Sequence, residues 1–222
     1  MNWKDCPHPP DLGPAPMQQH PFYGRACAAM GSGVVSVDLG LSHAPLATAQ
    51  ILIRRWPLFG DFALIARGPV WAEDVTEPEA RLALRRLVAM LRTRCRGVIV
   101  TPERRAGVDL IEGQGLLPLF TAGSQARLSL TGTMAERMAR QHGKWRNRLR
   151  RAQHSDLRVC HGPLPVDPSH WLLQSEEAQS RSRGYRRLPA RFSLAWAEVN
   201  GKTSTRLFWT EQRGAPVAGM LF

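Results

Sequence analysis

Lys144, Arg148 and Arg151 stand four and three residues apart in the run KWRNRLRRAQH, Lys144–His154. That is the spacing of side chains stacked along one line of a helix. A lysine offers a point charge and an arginine a planar two-pronged donor, so such a line suits phosphate oxygens. Met134, Met138, Trp145, Leu149 and Ala152 recur beside it at spacings of four, seven, four and three, which predicts a buried apolar stripe. Thr133 with Glu136 forms a capping box, so one helix is expected to begin there and run through the basic stretch. Three readings fit the cationic row: the solvated face of a packed helix, a holder of phosphate groups, or a nucleic-acid surface.

A second cluster, SRSRGYRR (Ser180–Arg187), places Gly184 and Tyr185 among four arginines. It suits a substrate-facing loop and a solvated turn equally. Between Thr131 and Arg191 the chain carries 13 basic and 5 acidic side chains, so most of its formal charge of +12 is concentrated there. This local excess keeps open a non-catalytic nucleic-acid-binding protein that uses residues 137–191. Trp145 falls on the apolar stripe, and it is expected in the core rather than as a stacking platform.

Several chemistries have no signature in the sequence. It contains no Walker loop, no GxGxxG, no HExxH and no GxSxG. The histidines, His8, His20, His43, His142, His154, His161 and His170, show no metal-ligand spacing, so no metal is expected. Cys160 and His161 are adjacent on an expected strand and point to opposite faces, which disfavours a nucleophile pair. The four cysteines lie far apart without a CxxC pair, as free thiols in a reducing, cytoplasmic compartment would. The apolar runs are too short to span a bilayer. Residues 1–17, proline-rich and without the apolar core of a secretory signal, are expected to form a flexible leader.

The remaining segments predict a mixed α/β layer structure. QQHPFYGRACAAMG reads as a helix ending at Gly31, GVVSVDLG and ATAQILIRRWP as strands split by a turn at LSHAP, and FALIARGPV as a strand stopped by Gly68 and Pro69. Thr76 and Glu79 cap a helix whose Ala80, Leu84, Leu87, Val88, Leu91 and Cys95 share one face. GVIVTP follows as a buried strand, AGVDLIEGQG as a short helix, and ARLSL and LRVC as further strands. DPSHWLLQSEEAQSRSRG predicts a helix capped near Asp167 or Ser169, and PARFSLAWAEVNG one with Pro189 in its first turn. TRLFWTEQ and APVAGMLF, joined through Arg213-Gly214, predict a hairpin.

The order QQHPFYGRACAAMG, RGPVW, GVIVTPE, KWRNRLRRAQ, RGAPVAGMLF resembles the Fem-type branch of the GNAT acyltransferases, over about residues 18–222. The motif residues are Arg67–Val70, then Lys144, Arg148 and Ala152, then Gly214, Val217, Ala218 and Gly219. The resemblance implies a GNAT-like fold of two halves, here residues 18–130 and 131–222. It implies an N-acyltransferase that moves an acetyl or aminoacyl group from acyl-CoA (acetyl-CoA) or aminoacyl-tRNA to a small-molecule or cell-envelope amine. Lys144, Arg148 and Arg151 would meet donor phosphates, and Arg67 and Tyr185 would face the acceptor cleft. Glu176, Glu177 and Glu198 are available carboxylates, and nothing in the sequence selects a catalytic base among them. In the family the chain continues past the last hairpin to a strand-to-helix turn whose amides hold the donor's pyrophosphate. This sequence stops at Phe222, so the second half is expected to be incomplete, and transfer by this chain alone is in question. The oligomeric state is not fixed by these residues.

Overall fold

The computed structural model describes residues 2–41, 44–105, 107–121, 123 and 128–222. The expected turn at LSHAP and the expected strand ARLSL fall partly outside them, as does His43. The chain divides into two compact units, Met1–Leu116 with Pro165–Ser204, and Leu117–Leu164 with Thr205–Phe222. Pro165–Ser204, expected in the second half, thus belongs to the first unit.

The first unit is built on a mixed sheet of β1 (Trp3–Asp5), β2 (Gly33–Leu41), β3 (Ala44–Trp56), β4 (Gly60–Ala66) and β6 (Gly97–Thr101) in the order β1-β2-β3-β4-β6, with β5 (Val70–Trp71) beside β3. The pairings are antiparallel except β4 with β6, which are parallel and joined through helix α2 (Glu77–Arg92). Side-chain alternation along β3 decides the layers. Ala47, Ala49 and Ile51 join Val37, Leu39, Ala63 and Ile65 against Ala83, Leu87 and Leu91 of α2. Leu52, of opposite parity, packs with Ala26 and Cys27 of α1 (Pro21–Ala29) and Phe192 of α6 (Ala190–Asn200). The result is a three-layer α/β unit with helices on both faces. Each fully buried leucine or isoleucine in these layers contributes on the order of 2 kcal/mol.

Helix α2 forms as its sequence predicts. The Glu79 carboxylate accepts from the Thr76 amide at 2.9 Å, and Ala80, Leu84, Leu87, Val88 and Leu91 are buried. Aromatic contacts explain why α6 sits in this unit. Tyr23 meets Phe192 at 5.3 Å between ring centroids, Phe22 meets Trp196 at 6.0 Å, and Asn200 Nδ2 donates to Phe22 O at 3.1 Å.

Four expectations for this unit are corrected. The leader is ordered at Trp3–Asp5, which pairs with β2, and buried Trp3 donates its indole N–H to Ala83 O at 2.8 Å. Among the described residues of AGVDLIEGQG there is no helix but a series of turns with an Arg105–Val108 bridge, because Gly107, Gly113 and Gly115 all take positive φ. Helix α5 (Trp171–Arg183) is capped by His170, whose Nδ1 accepts from the Leu172 amide. Asp167 instead accepts from Ser169 in a turn before it. Pro189 is the N-cap of α6 rather than a residue of its first turn.

The second unit holds α3 (Met134–Ala139), α4 (Gly143–Gln153) and an antiparallel sheet β7 (Arg158–Gly162), β8 (Leu207–Gln212), β9 (Ala215–Leu221). The hairpin forms as expected, turning at Arg213 (φ 53°) and Gly214 (φ 79°). The single long helix does not. It breaks between Arg140, which ends α3, and His142, which caps α4 by accepting from the Lys144 amide. The predicted stripe is not buried either: α3 and α4 have no buried residue, and Met134 and Trp145 are 68% and 47% exposed.

Candidate functional site

Arg67, a residue of the RGPV motif, follows β4 directly. The carboxyl ends of β4 and β6 lie side by side, with Ala66 paired to Thr101. In open sheets ligands gather beyond the carboxyl ends of parallel strands. Arg67 leaves the strand at φ 55°, ahead of a cis Gly68–Pro69 peptide. Its amide donates to Thr101 Oγ1 at 3.1 Å. Its guanidinium donates from Nε at 2.9 Å and from Nη2 to Glu103 Oε1, and from Nη1 to Gln18 Oε1 at 3.4 Å.

Two glutamines complete this polar cluster. Buried Gln19 donates Nε2 to Ala66 O (2.7 Å) and Gln50 O (3.2 Å), and its Oε1 accepts from the Gln50 amide (2.8 Å). Gln50 Nε2 reaches back to Gln18 O at 2.9 Å and His20 O at 3.2 Å. A buried amide left without such partners would cost a few kcal/mol, so these bonds are what allow the two side chains to lie inside. Gly68 is required by this arrangement: a Cβ there would come within 2.5 Å of the Gln19 amide. Sequence reasoning missed these glutamines. A signal existed in ATAQILI, where one long polar side chain interrupts a strand that must be buried on both faces.

Tyr185 lies just past α5, whose last turn is closed by Gly184 at φ 68°. Its hydroxyl donates to Glu176 Oε1 at 3.0 Å and meets Gln179 Oε1 at 3.2 Å. Local desolvation, and after it the bond to Glu176, raises this hydroxyl above its ordinary pKa. Glu177 is engaged by Arg181 Nη2 at 2.6 Å and Arg187 Nη2 at 3.5 Å. Glu198 is exposed on α6.

In the other unit, Lys144, Arg148 and Arg151 are all exposed on α4. Among the described residues no carboxylate pairs with any of the three. Arg146 is half-buried and turns back to Ala139 O at 3.4 Å. The predicted site residues are therefore in two groups: the cation row in one unit, Arg67 and Tyr185 in the other. Four presented cations without carboxylate partners, Lys144, Arg148, Arg150 and Arg151, on an 11-residue helix form a strongly positive surface. Among the described residues no helix is long and apolar enough to cross a membrane.

No known protein-family profile matches the chain, and no curated protein matches it. Among solved structures it is similar to FemX, with a TM-score of 0.64 at 13% identity. The alignment covers 88% of this chain and 52% of the FemX chain, so this chain spans about half the length of that structure. The likeness shows a shared Fem-like mixed α/β fold.

Proposed function

We propose that this chain is a Fem-type transferase, with GNAT-like halves, that moves an acyl group from a polyanionic donor to an amine. The observation that carries this reading is the fold likeness to FemX over 88% of the chain. The exposed cation row of α4 supports it.

Aminoacyl-tRNA is the donor that this row fits best. From Lys144 to Arg151 the helix rises about 10 Å, enough to meet two or three successive phosphates of one strand. The row lies on an open helix face, which suits an extended polyanion more than the compact pyrophosphate of acyl-CoA. Lys144, Arg148 and Arg151 bind these phosphates. Arg67 and Tyr185 are assigned to the amine acceptor, a cell-envelope precursor.

In the reaction the amine nitrogen attacks the donor's carbonyl carbon. An amide bond forms, the ester bond to the tRNA breaks, and the amine's proton passes, through water or a carboxylate, to the leaving hydroxyl oxygen of the tRNA. Holding donor and amine together supplies most of the acceleration such a transfer needs.

The experiment is a titration of the protein with aminoacyl-tRNA, acyl-CoA and an unrelated DNA duplex at moderate salt. A saturable one-to-one complex with aminoacyl-tRNA, tighter than with the other two, is expected. Preference for acyl-CoA would replace the donor. Equal affinity for the duplex would contradict the transferase reading and favour general nucleic-acid binding.

A further inference from the structure

The hairpin between β3 and β4 ends in Trp56-Pro57-Leu58-Phe59-Gly60. The Phe59 amide donates to Trp56 O at 3.1 Å and closes a four-residue turn with Pro57 second and Leu58 third. Leu58 has φ 69°, the backbone state that a type II turn demands of its third residue and that glycine adopts at least cost. An L-leucine occupies that position instead, with its side chain fully in solvent. Phe59 beside it is 65% exposed and Trp56 49%. Neither the backbone nor the core calls for apolar side chains at this tip. A turn selected for folding alone would carry glycine or asparagine at 58 and polar neighbours.

The ring at the base of the tip is braced by a neighbour. The Trp56 ring stacks on Phe62 at 4.9 Å with 26° between planes. Phe62 in turn lies over Gly97, where a Cβ would approach its ring to 2.5 Å. A ring fixed in this way loses little freedom when it docks.

Arginines surround the base of the tip. Arg54 is the cross-strand partner of Phe62, Arg55 that of Asp61, and Arg96 lies beside Gly60. All three arginines are exposed. Asp61 takes up Arg55 through bonds of 2.9 and 3.2 Å, and among the described residues no carboxylate pairs with Arg54 or Arg96. A leucine-phenylalanine point, a tryptophan behind it and a collar of arginines match, in that order, the acyl boundary, the headgroup level and the phosphates of an anionic bilayer.

We infer that this hairpin tip is a peripheral docking point for an anionic lipid surface. The proposal is independent of the transferase reading.

The test is sedimentation of the full chain with phosphatidylcholine vesicles, with and without phosphatidylserine. The wild type is expected to partition onto the mixed vesicles. Leu58→Gly with Phe59→Ser keeps the turn and removes the apolar point, and is expected to lower that partition at least about tenfold. The same fold loss from Leu58→Gly with Phe59→Ser is expected in a protein whose Lys144, Arg148 and Arg151 are already alanine, which separates the tip from the charge of α4. Vesicles with brominated acyl chains should quench part of the tryptophan emission, and Trp56→Phe should remove that part. Partition of the double variant equal to wild type, or quenching unchanged in Trp56→Phe, would overturn the proposal. So would a vesicle-free dimer of the wild type that the double variant abolishes, since the tip would then bind a second copy of this chain.

Discussion

Arg67 ties the carboxyl ends of β4 and β6 together: its Nε, at 2.9 Å, and its Nη2 both donate to one oxygen of Glu103, Oε1. The two side chains are 26% and 33% exposed, so the pair stands between the surface and buried regimes. Arg67→Ala is expected to lower stability by about 1–3 kcal/mol in urea unfolding, more than an exposed ion pair and less than a buried one. Arg67→Lys should recover only part of the loss, because an ammonium cannot supply the fork. Full recovery by lysine would show that charge alone matters there.

Gln19 makes a sharper case, since its amide satisfies the Gln50 amide and two backbone carbonyls at once. Gln19→Leu is close in size and removes all three bonds. It should cost about 2–4 kcal/mol, the consequence of orphaned buried backbone groups. A loss below about 1 kcal/mol would mean that water replaces the side chain.

Acid should weaken two helix starts. Hydrogen bonds from the Thr76 hydroxyl, then from its amide, hold the Glu79 carboxyl below its ordinary 4.5, and the Thr133 amide, then its hydroxyl, does so for Glu136. Both pKa values are lowered on folding, so the unfolded chain binds more protons near that range. This support is complete above pH 4.5 and is lost as pH falls through the lower folded values. Replacing both glutamates with glutamine should flatten the acid limb of a stability-against-pH curve. An unchanged limb would place its origin in other carboxylates.

How much of this was legible depended on whether a signal was local. The start of α2, with Thr76 and Glu79, and its leucine spacing are local, and the helix formed as read. The hairpin at Arg213-Gly214 is local in the same way. The apolar row through Met134 and Trp145 was also real as a period. A period shows which residues share a face, not whether anything covers that face, and no residue of α3 or α4 is buried among the described residues. Trp3 was illegible for the opposite reason, because three residues before a proline-rich stretch gain strand form only from β2, more than 30 positions away. His20, His142 and His170, read only for metal-ligand spacing, serve as helix caps accepting through Nδ1. Within the candidate site, Arg67 was found through a motif, whereas Gln19 and Glu103 came from distant segments that only the fold brings to it.

Replacing Lys144, Arg148 and Arg151 together with alanine should leave stability within about 0.5 kcal/mol of wild type, since all three are exposed and make no ion pair among the described residues. Thermal melts of the two proteins should nearly superimpose. A large drop would make the row structural.

The central claim, that the α4 cations hold the donor's phosphates, is tested most directly by the salt dependence of aminoacyl-tRNA binding in wild type and in that triple variant. Each lost phosphate contact lowers the log–log slope by about 0.7 to 0.9. The account predicts a slope shallower by about two to three units and weaker binding at every salt concentration. Identical slopes and affinities in the two proteins would contradict it.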